Sequence, residues 1–478
     1  MKAPTALLLA NLVLPALSNP LPKAKCHTIE RPSMRTAFVN AAQRRGAPET
    51  LASGIIYGEP DTLDQIPDKF YEEAGIHYFR AGGAQLDAPN RGWIWGEYEG
   101  RFNSAKSNYL TARKHGGTFS LLPHDIWGTD HANEFSLWPG DNDDWSDYDA
   151  FLDRLLSDLK KHNMLENLQF DIWNEPELTF FWNRSTERWV SLWDRTYKRI
   201  RADCELNDIV ITGPSLAGEP NPESPWWTQF LESVSKERTI PDQWVWHLER
   251  DPADVTDDIQ HNIPALHVML TNYSLPVNVK ININEYGKME EQAPAGAAWW
   301  ISRLERYDAI GMRGNWLSKL ALHDFLANLL GKPNADNDKY DHYNKDYWPV
   351  GEWQVYKYYH TNMTGVRLGT QGSDDRSFDV YSVLGEDKVL RVLAGVRLTQ
   401  GDFTVQIDGL EDALGLKSGK GAVTVRTLRF DNNGKYGRVD GPKVVGVTEY
   451  ECANDRLKLD FKQPDNETAW AFEVEKSA

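Results

Sequence analysis

From residue 52 onward, apolar positions follow two alternating rhythms. Short β-branched runs read as strands: "ASGIIYG" (52–58), "HYFRAGG" (77–83), "TFSLLPH" (118–124), "LQFDIWNE" (168–175), "IVITGPS" (209–215), "QWVWHLE" (243–249), "VKININEYG" (279–287) and "MRGNWL" (312–317). Longer amphipathic stretches lie between them. In "DYDAFLDRLLSDLKKH", Tyr148, Leu152, Leu155 and Leu159 share one helical face. "ERWVSLWDRTYKRIRADCE" and "AGAAWWISRLERYDAIG" read the same way. Eight strands alternating with helices imply parallel packing. Count and length predict an α/β fold, a closed (β/α)8 TIM barrel over residues 52–345. The alternative is an open doubly wound sheet, but "YGEPDTL" after the first strand lacks the G-x-G-x-x-G phosphate loop.

From about Gly365 the rhythm shifts to period two. "FDVYSVL", "FTVQIDGL", "VTVRTLRF", "KVVGVTEY", "LKLDF" and "WAFEVE" alternate with turn signals such as Asn433-Gly434 and Asn454-Asp455. This predicts a C-terminal antiparallel β-sandwich over 365–478. The aromatic-rich stretch "YWPVGEWQVYKYYHTN" predicts a connecting helix over 346–364. With no low-complexity linker between them, the two modules should pack together. Residues 1–18, "MKAPTALLLANLVLPALS", have the Lys, apolar run and small-residue ending of a secretory signal peptide. Residues 19–51 are left as an N-terminal extension.

A hydrophobic content of 41% supports a full core in a chain of 478 residues. The net charge of −18 disfavours nucleic acid, whose phosphates it would repel. No stretch after the leader is long and apolar enough for a membrane span. Four Asn-x-Ser/Thr sequons, at Asn183, Asn272, Asn362 and Asn466, stand behind the leader and predict a secreted, extracellular glycoprotein. Three cysteines, Cys26, Cys204 and Cys452, allow at most one disulfide. No Cys/His spacing resembles a zinc site, so neither metal nor other cofactor is expected. The 19 Trp and 19 Tyr supply flat faces of the kind that stack on sugar rings.

In a closed barrel, chemistry gathers at the C-terminal ends of the strands. "FDIWNEPEL" runs from strand residues directly into Asn-Glu-Pro, where Pro176 stops the ladder. Glu175 is thereby left at the rim of the fourth strand, and in "ININEYG" Glu285 stands at the rim of the seventh. Carboxyls on opposite walls of a pocket are what glycosidic cleavage requires, one protonated and one ionised.

Trp-Asn-Glu-Pro on strand four with Asn-Glu-Tyr-Gly on strand seven resembles the clan A glycoside hydrolases. Together with the trailing sandwich, the plan most resembles glycoside hydrolase family 39, which holds β-xylosidases, α-L-iduronidases and exopolysaccharide endoglycosidases. The resemblance spans roughly residues 52–478; families 5, 30, 51 and 79 share the two glutamates. It implies that Glu175 is the acid/base and Glu285 the nucleophile of a retaining double displacement on a carbohydrate, with a β-xyloside the first expectation. Asn174 would then bond the sugar 2-hydroxyl.

Other rim residues take expected roles within that frame. Arg80 would keep Glu285 ionised. His124 and His247, at the ends of strands three and six, would bind sugar or orient the nucleophile. Trp316 on strand eight would form a platform under the sugar, and Trp127 would line a subsite. Tyr286 should point away from the site. "WHLE" stands where the family more usually has His-x-Tyr, and the rim acids Glu249 and Asp125 are left unassigned. Two other readings are an endo-acting exopolysaccharide hydrolase of the same clan and a carbohydrate binder on an inactive barrel. A lyase or aldolase barrel would want a metal cluster or a Schiff-base Lys at a strand end. Sequence leaves the sugar, the exo or endo mode and the oligomeric state open.

Overall fold

The computed structural model describes residues 35–86, 92–129 and 131–477. The leader, Cys26, and parts of the loops after strands two and three (residues 87–91 and 130) lie outside the described residues.

The first strand, β1 (Thr36–Arg44), precedes the barrel. Eight parallel strands then close on themselves: β2 (Gly54–Ile56), β3 (Tyr78–Ala81), β4 (Thr118–Leu121), β5 (Leu168–Asp171), β6 (Val210–Leu216), β7 (Gln243–Leu248), β8 (Lys280–Tyr286) and β9 (Ala309–Arg313). Closure comes from the pairing of β2 with β9 through Gly54–Met312 and Ile55–Arg313. The expected closed barrel is present.

Most of the strands are shorter than the sequence suggests, chiefly at the mouth, whereas β6 runs one residue further than expected, to Leu216. Ladder bonding stops at Leu121 and Asp171, so His124 and Glu175 stand on turns beyond the strand ends. The eighth strand also begins earlier than expected, at Ala309. "AIG" satisfies helical and strand periods alike, and the helix before it has already ended at Arg306. Trp316 therefore lies on a loop three residues past β9.

The connecting helices α1 (Lys69–Ala74), α2 (Tyr98–Lys114), α3 (Ser146–Lys161), α4 (Thr186–Arg201), α5 (Pro225–Glu237), α6 (Ile259–Asn272) and α7 (Pro294–Arg306) follow successive strands. In α3 the buried set is Tyr148, Phe151, Leu152, Leu155, Leu156 and Leu159, the stripe its spacing predicts. Asp147 and Asp149 open that helix and Lys160 and Lys161 close it, matching the helix dipole. In α4, Ser185 caps the first turn by accepting the Arg188 N–H, and Trp189, Leu192, Trp193 and Ile200 face inward.

A two-strand pair, β10 (Leu330–Gly331) with β11 (Trp348–Pro349), precedes the helix Gly351–Thr361. The remaining strands are β12 (Val366–Gln371), β13 (Phe378–Leu384), β14 (Leu390–Val396), β15 (Gly401–Asp408), β16 (Gly421–Phe430), β17 (Lys443–Cys452), β18 (Arg456–Gln463) and β19 (Ala469–Lys476). They form one mostly antiparallel sheet in the order β17-β16-β19-β14-β13-β12-β1-β15-β18. Its two halves share a core: Phe378 of β13 packs 4.9 Å from Phe403 of β15, and Phe461 of β18 lies 5.5 Å from Phe472 of β19.

One strand of this sheet comes from the other end of the chain. β1, read from sequence as part of an extension, pairs antiparallel with β12 and parallel with β15, so it joins the two halves. Helix α7 couples sheet to barrel. It is buried nearly all round, and its Ala295 N–H donates to Glu467 O at 2.8 Å. Arg303 and Arg306 both pair with buried Asp379 of β13. The two modules are packed together, as expected.

Candidate active site

Arg80 organises the barrel mouth. It is buried on β3 and distributes its guanidinium over three partners: Nε donates to Asp171 Oδ2 at 2.8 Å, Nη1 to Glu285 Oε1 at 2.5 Å, and Nη2 to Asn174 Oδ1 at 2.8 Å. Asp171 is in turn held by Ser215 Oγ at 2.6 Å and Asn284 Nδ2 at 2.8 Å. This network ties together β3, β5, β6 and β8 beneath the rim. Burial pushes the Asp171 carboxyl up, against the pull of Arg80 and the Ser215 hydroxyl. Arg80 itself stays charged.

Above it, the two glutamates meet around His247. His247 Nδ1 lies 2.8 Å from Glu175 Oε1, and His247 Nε2 lies 3.9 Å from Glu285 Oε1. One oxygen of each carboxyl and one nitrogen of the ring all fall within 4.8 Å of one another. His247 is 1% exposed, while the side chains of Glu175 and Glu285 keep 16% and 14%, which leaves both carboxyls open to a ligand. Burial alone would raise Glu285, but His247 and Arg80 outweigh it and hold its carboxyl below the ordinary value. Burial alone would lower His247, and the Glu285 and Glu175 charges hold it above its ordinary value. Such a grouping has the atoms to hold a cation. The Arg80 guanidinium already occupies that role at Glu285, so an added metal would face a resident positive charge.

Glu175 is delivered by strained backbone. Its φ is +42°, a region costly for a residue with a side chain, and its N–H is fixed to Ser215 O at 2.9 Å. That turn lifts the carboxyl off the strand and aims it at His247.

The other expected residues divide. Asn174 is buried against Arg80. His124 is buried beside Trp173 and Phe181, and burial pushes it down to about 4, so it is neutral at the rim. Trp316, 41% exposed, donates Nε1 to Gly287 O at 3.1 Å and so stays beside the Glu285 strand although it lies off β9. Trp127 is buried in an aromatic chain with Trp138 at 4.2 Å, Trp138 with Trp182 at 5.2 Å, and Trp182 with Trp173 at 5.2 Å. With Ile94 and Trp95 it lines a cavity of about 100 Å³. Tyr286 does point away: its hydroxyl donates to Ala52 O at 2.9 Å behind the barrel. Asp125 pairs with buried Arg101 at 2.6 Å.

Sequence reasoning missed Asp171, Ser215, Asn284 and Glu177. An Asp inside the apolar strand "LQFDI" was the signal for the first of these. Glu177 Oε1 accepts the Gly218 N–H at 2.8 Å, and burial pushes its carboxyl up to about 7.

No family model and no curated protein matches the chain. Solved structures do. The protein N2152 from Neocallimastix frontalis superposes with TM-score 0.70 at 19% identity, covering 93% of this chain and 100% of that one. The fold is shared. A monomeric beta-xylosidase from Caulobacter crescentus CB15 follows at TM-score 0.58 and 14% identity, covering 93% of this chain and 100% of that one. A GH39 enzyme from Xanthomonas axonopodis pv. citri superposes at TM-score 0.57 and 13% identity, covering 93% and 97%. Barrel and second sheet are thus matched together, in keeping with the clan A resemblance of the two glutamate motifs.

Proposed function

We propose that this protein is a secreted retaining glycoside hydrolase, with Glu285 as nucleophile and Glu175 as acid/base. The observation that carries the reading is the pair of carboxyls facing each other across the barrel mouth, their oxygens within 4.8 Å, one of them ion-paired to Arg80. Glu285, kept ionised, attacks the anomeric carbon as Glu175 gives its proton to the departing glycosidic oxygen. A water then enters, Glu175 takes its proton, and the resulting hydroxide displaces Glu285. Asn174, locked by Arg80, and the Trp316 ring stand where they can meet the sugar.

A carbohydrate with β-linked xylose is the substrate class we favour, supported by the beta-xylosidase among the structural neighbours. Secretion is supported by the leader pattern and by the sequons, of which Asn183, Asn272 and Asn466 are exposed and Asn362 is half-buried. The test is hydrolysis of a panel of aryl glycosides and xylose-containing polysaccharides, with Glu285→Gln as control. Release of sugar by the wild type alone supports the reading, and the product lengths report exo or endo action. Binding of these sugars without any release by the wild type would replace it with a carbohydrate binder.

A further inference from the structure

Glu249 is an acid at the barrel mouth that the proposed chemistry leaves without a role. It sits one residue past β7 and two past His247, so strand alternation turns both side chains to the same face. His247 is in register with Glu285 and Leu248 with Tyr286, which places Glu249 beside the strand that carries Glu285. Its side chain fills the space that Gly314 leaves open: a Cβ at Gly314 would collide with Glu249 Oε1. That oxygen is buried and has no partner among the groups able to donate to it. Its carboxyl does reach another carboxyl, that of Glu285, within hydrogen-bonding range.

Two carboxylates in contact in a buried site cannot both be ionised. The charges around them decide which keeps the proton. Glu285 has Arg80 at 2.5 Å and His247 at 3.9 Å. Among the described residues no Lys, Arg or His forms an ion pair with Glu249. The charged groups that face it are Glu285 from β8, Glu175 from the turn after β5, and Arg80 from β3, whose guanidinium is spent on other partners. Burial pushes the Glu249 carboxyl well above the ordinary range, and the Glu285 and Glu175 charges push it further. A carboxylic acid is a hydrogen-bond donor, and a bond from O–H to a carboxylate is among the stronger kinds.

We propose that Glu249 is a positioning residue, a neutral carboxylic acid that donates its hydrogen to Glu285 and fixes the direction of that carboxylate. The proposal rests on Glu285 being the nucleophile. Glu249 touches neither leaving group nor water in it; it acts through Glu285 by holding one lone pair and leaving the other aimed at the anomeric carbon. When Glu249 ionises on the alkaline side, the donor is lost and a second negative charge presses on Glu285, so turnover falls there.

Two measurements test it. In protein labelled with ¹³C at the glutamate side-chain carboxyl, several resonances should stay in the protonated range at pH 7, those of buried Glu59 and Glu177 among them, and one of the set should vanish in Glu249→Gln. If the resonance removed by that substitution is an ionised carboxylate, the proposal is overturned. In turnover of an aryl glycoside, Glu249→Ala should lower kcat by about 10- to 100-fold, the range for losing a hydrogen bond to a charged group. Glu249→Gln, whose amide still donates, should lose less and should show an altered alkaline limb. Equal losses with an unchanged pH profile would also overturn the idea. The titration needs no activity, so a chain that titrates as expected yet cleaves no glycoside counts against the hydrolase reading and not against the Glu249 proton.

Discussion

Arg80 Nη1 stands 2.5 Å from Glu285 Oε1, and the same guanidinium reaches Asp171 at 2.8 Å and Asn174 at 2.8 Å. One side chain therefore charges the nucleophile candidate, neutralises a carboxylate beneath it and orients an amide beside it. Removing Arg80 leaves a fully buried Asp171 without its cation. Breaking a buried pair in this way costs about 3–5 kcal/mol, so Arg80→Met should melt well below the wild type by calorimetry. Arg80→Lys keeps a charge but not the three-way fork, and should fold while losing most of its kcat.

The acid side of the pH dependence follows from Glu285. Its folded carboxyl lies below the ordinary value because His247 and Arg80 outweigh burial. A depressed carboxyl contributes stability that is present above the unfolded value of about 4.3 and is lost as pH falls through the folded one. Thermal melts of wild type and Glu285→Gln should converge as pH drops below about 4.3. Equal spacing of the two curves from pH 3 to 7 would contradict the ion pair.

His247 should act in the opposite sense. Glu285 and Glu175 hold it above its ordinary value against the pull of burial. A raised histidine contributes stability that is full below about 6.5 and is lost as pH rises through its folded value. His247→Asn should therefore destabilise the protein most at pH 5–6, with the gap from wild type closing on the alkaline side. Differential scanning calorimetry across that range reads the effect directly.

Much of the site was legible because its chemistry sits in local words. Asn-Glu-Pro and Asn-Glu-Tyr-Gly announce Glu175 and Glu285, and alternation correctly turned Tyr286 away. Asp171, Ser215 and Asn284 were not legible, since their role exists only where three strands converge, and alternation reports a direction but no partner. Glu249 was seen as an acid, yet its contact with Glu285 depends on the register of β7 against β8. In the fold, β1 was missed for a related reason. Its partner β12 lies more than three hundred residues along the chain, and "TAFVNAAQR" carries only a weak alternation of its own.

The junction of barrel and sheet has little tolerance. A Cβ on Gly395 of β14 would come within 2.5 Å of the Trp299 nitrogen and closer still to Ala295 O, both on α7. Gly395→Val should force that helix off the sheet at a cost of about 1–3 kcal/mol. Because α7 belongs to the barrel, the melting temperature should fall for both modules in one transition. A mutant in which only the sheet signal moves would mean that the two fold independently.

The last prediction is stereochemical and follows from the spacing of the two glutamates. Inverting enzymes hold their carboxyls about 6.5–9.5 Å apart to admit a water, whereas retaining enzymes hold them at about 5–5.5 Å. Here an oxygen of Glu175 and one of Glu285 lie within 4.8 Å, with His247 already beside both. No water fits between Glu285 and an anomeric carbon seated at that distance. In the proposed mechanism direct attack by Glu285 comes first and leaves a glycosyl-enzyme ester, which a mechanism-based fluoro-sugar should trap on Glu285. Glu175, having given up its proton, then takes one from water arriving on the same face as the departed group. Two inversions at one carbon restore the starting configuration. Proton NMR in the first minutes of hydrolysis should therefore show the substrate's own anomer before mutarotation. The opposite anomer appearing first would exclude the ester intermediate, and label on any residue other than Glu285 would reassign the nucleophile.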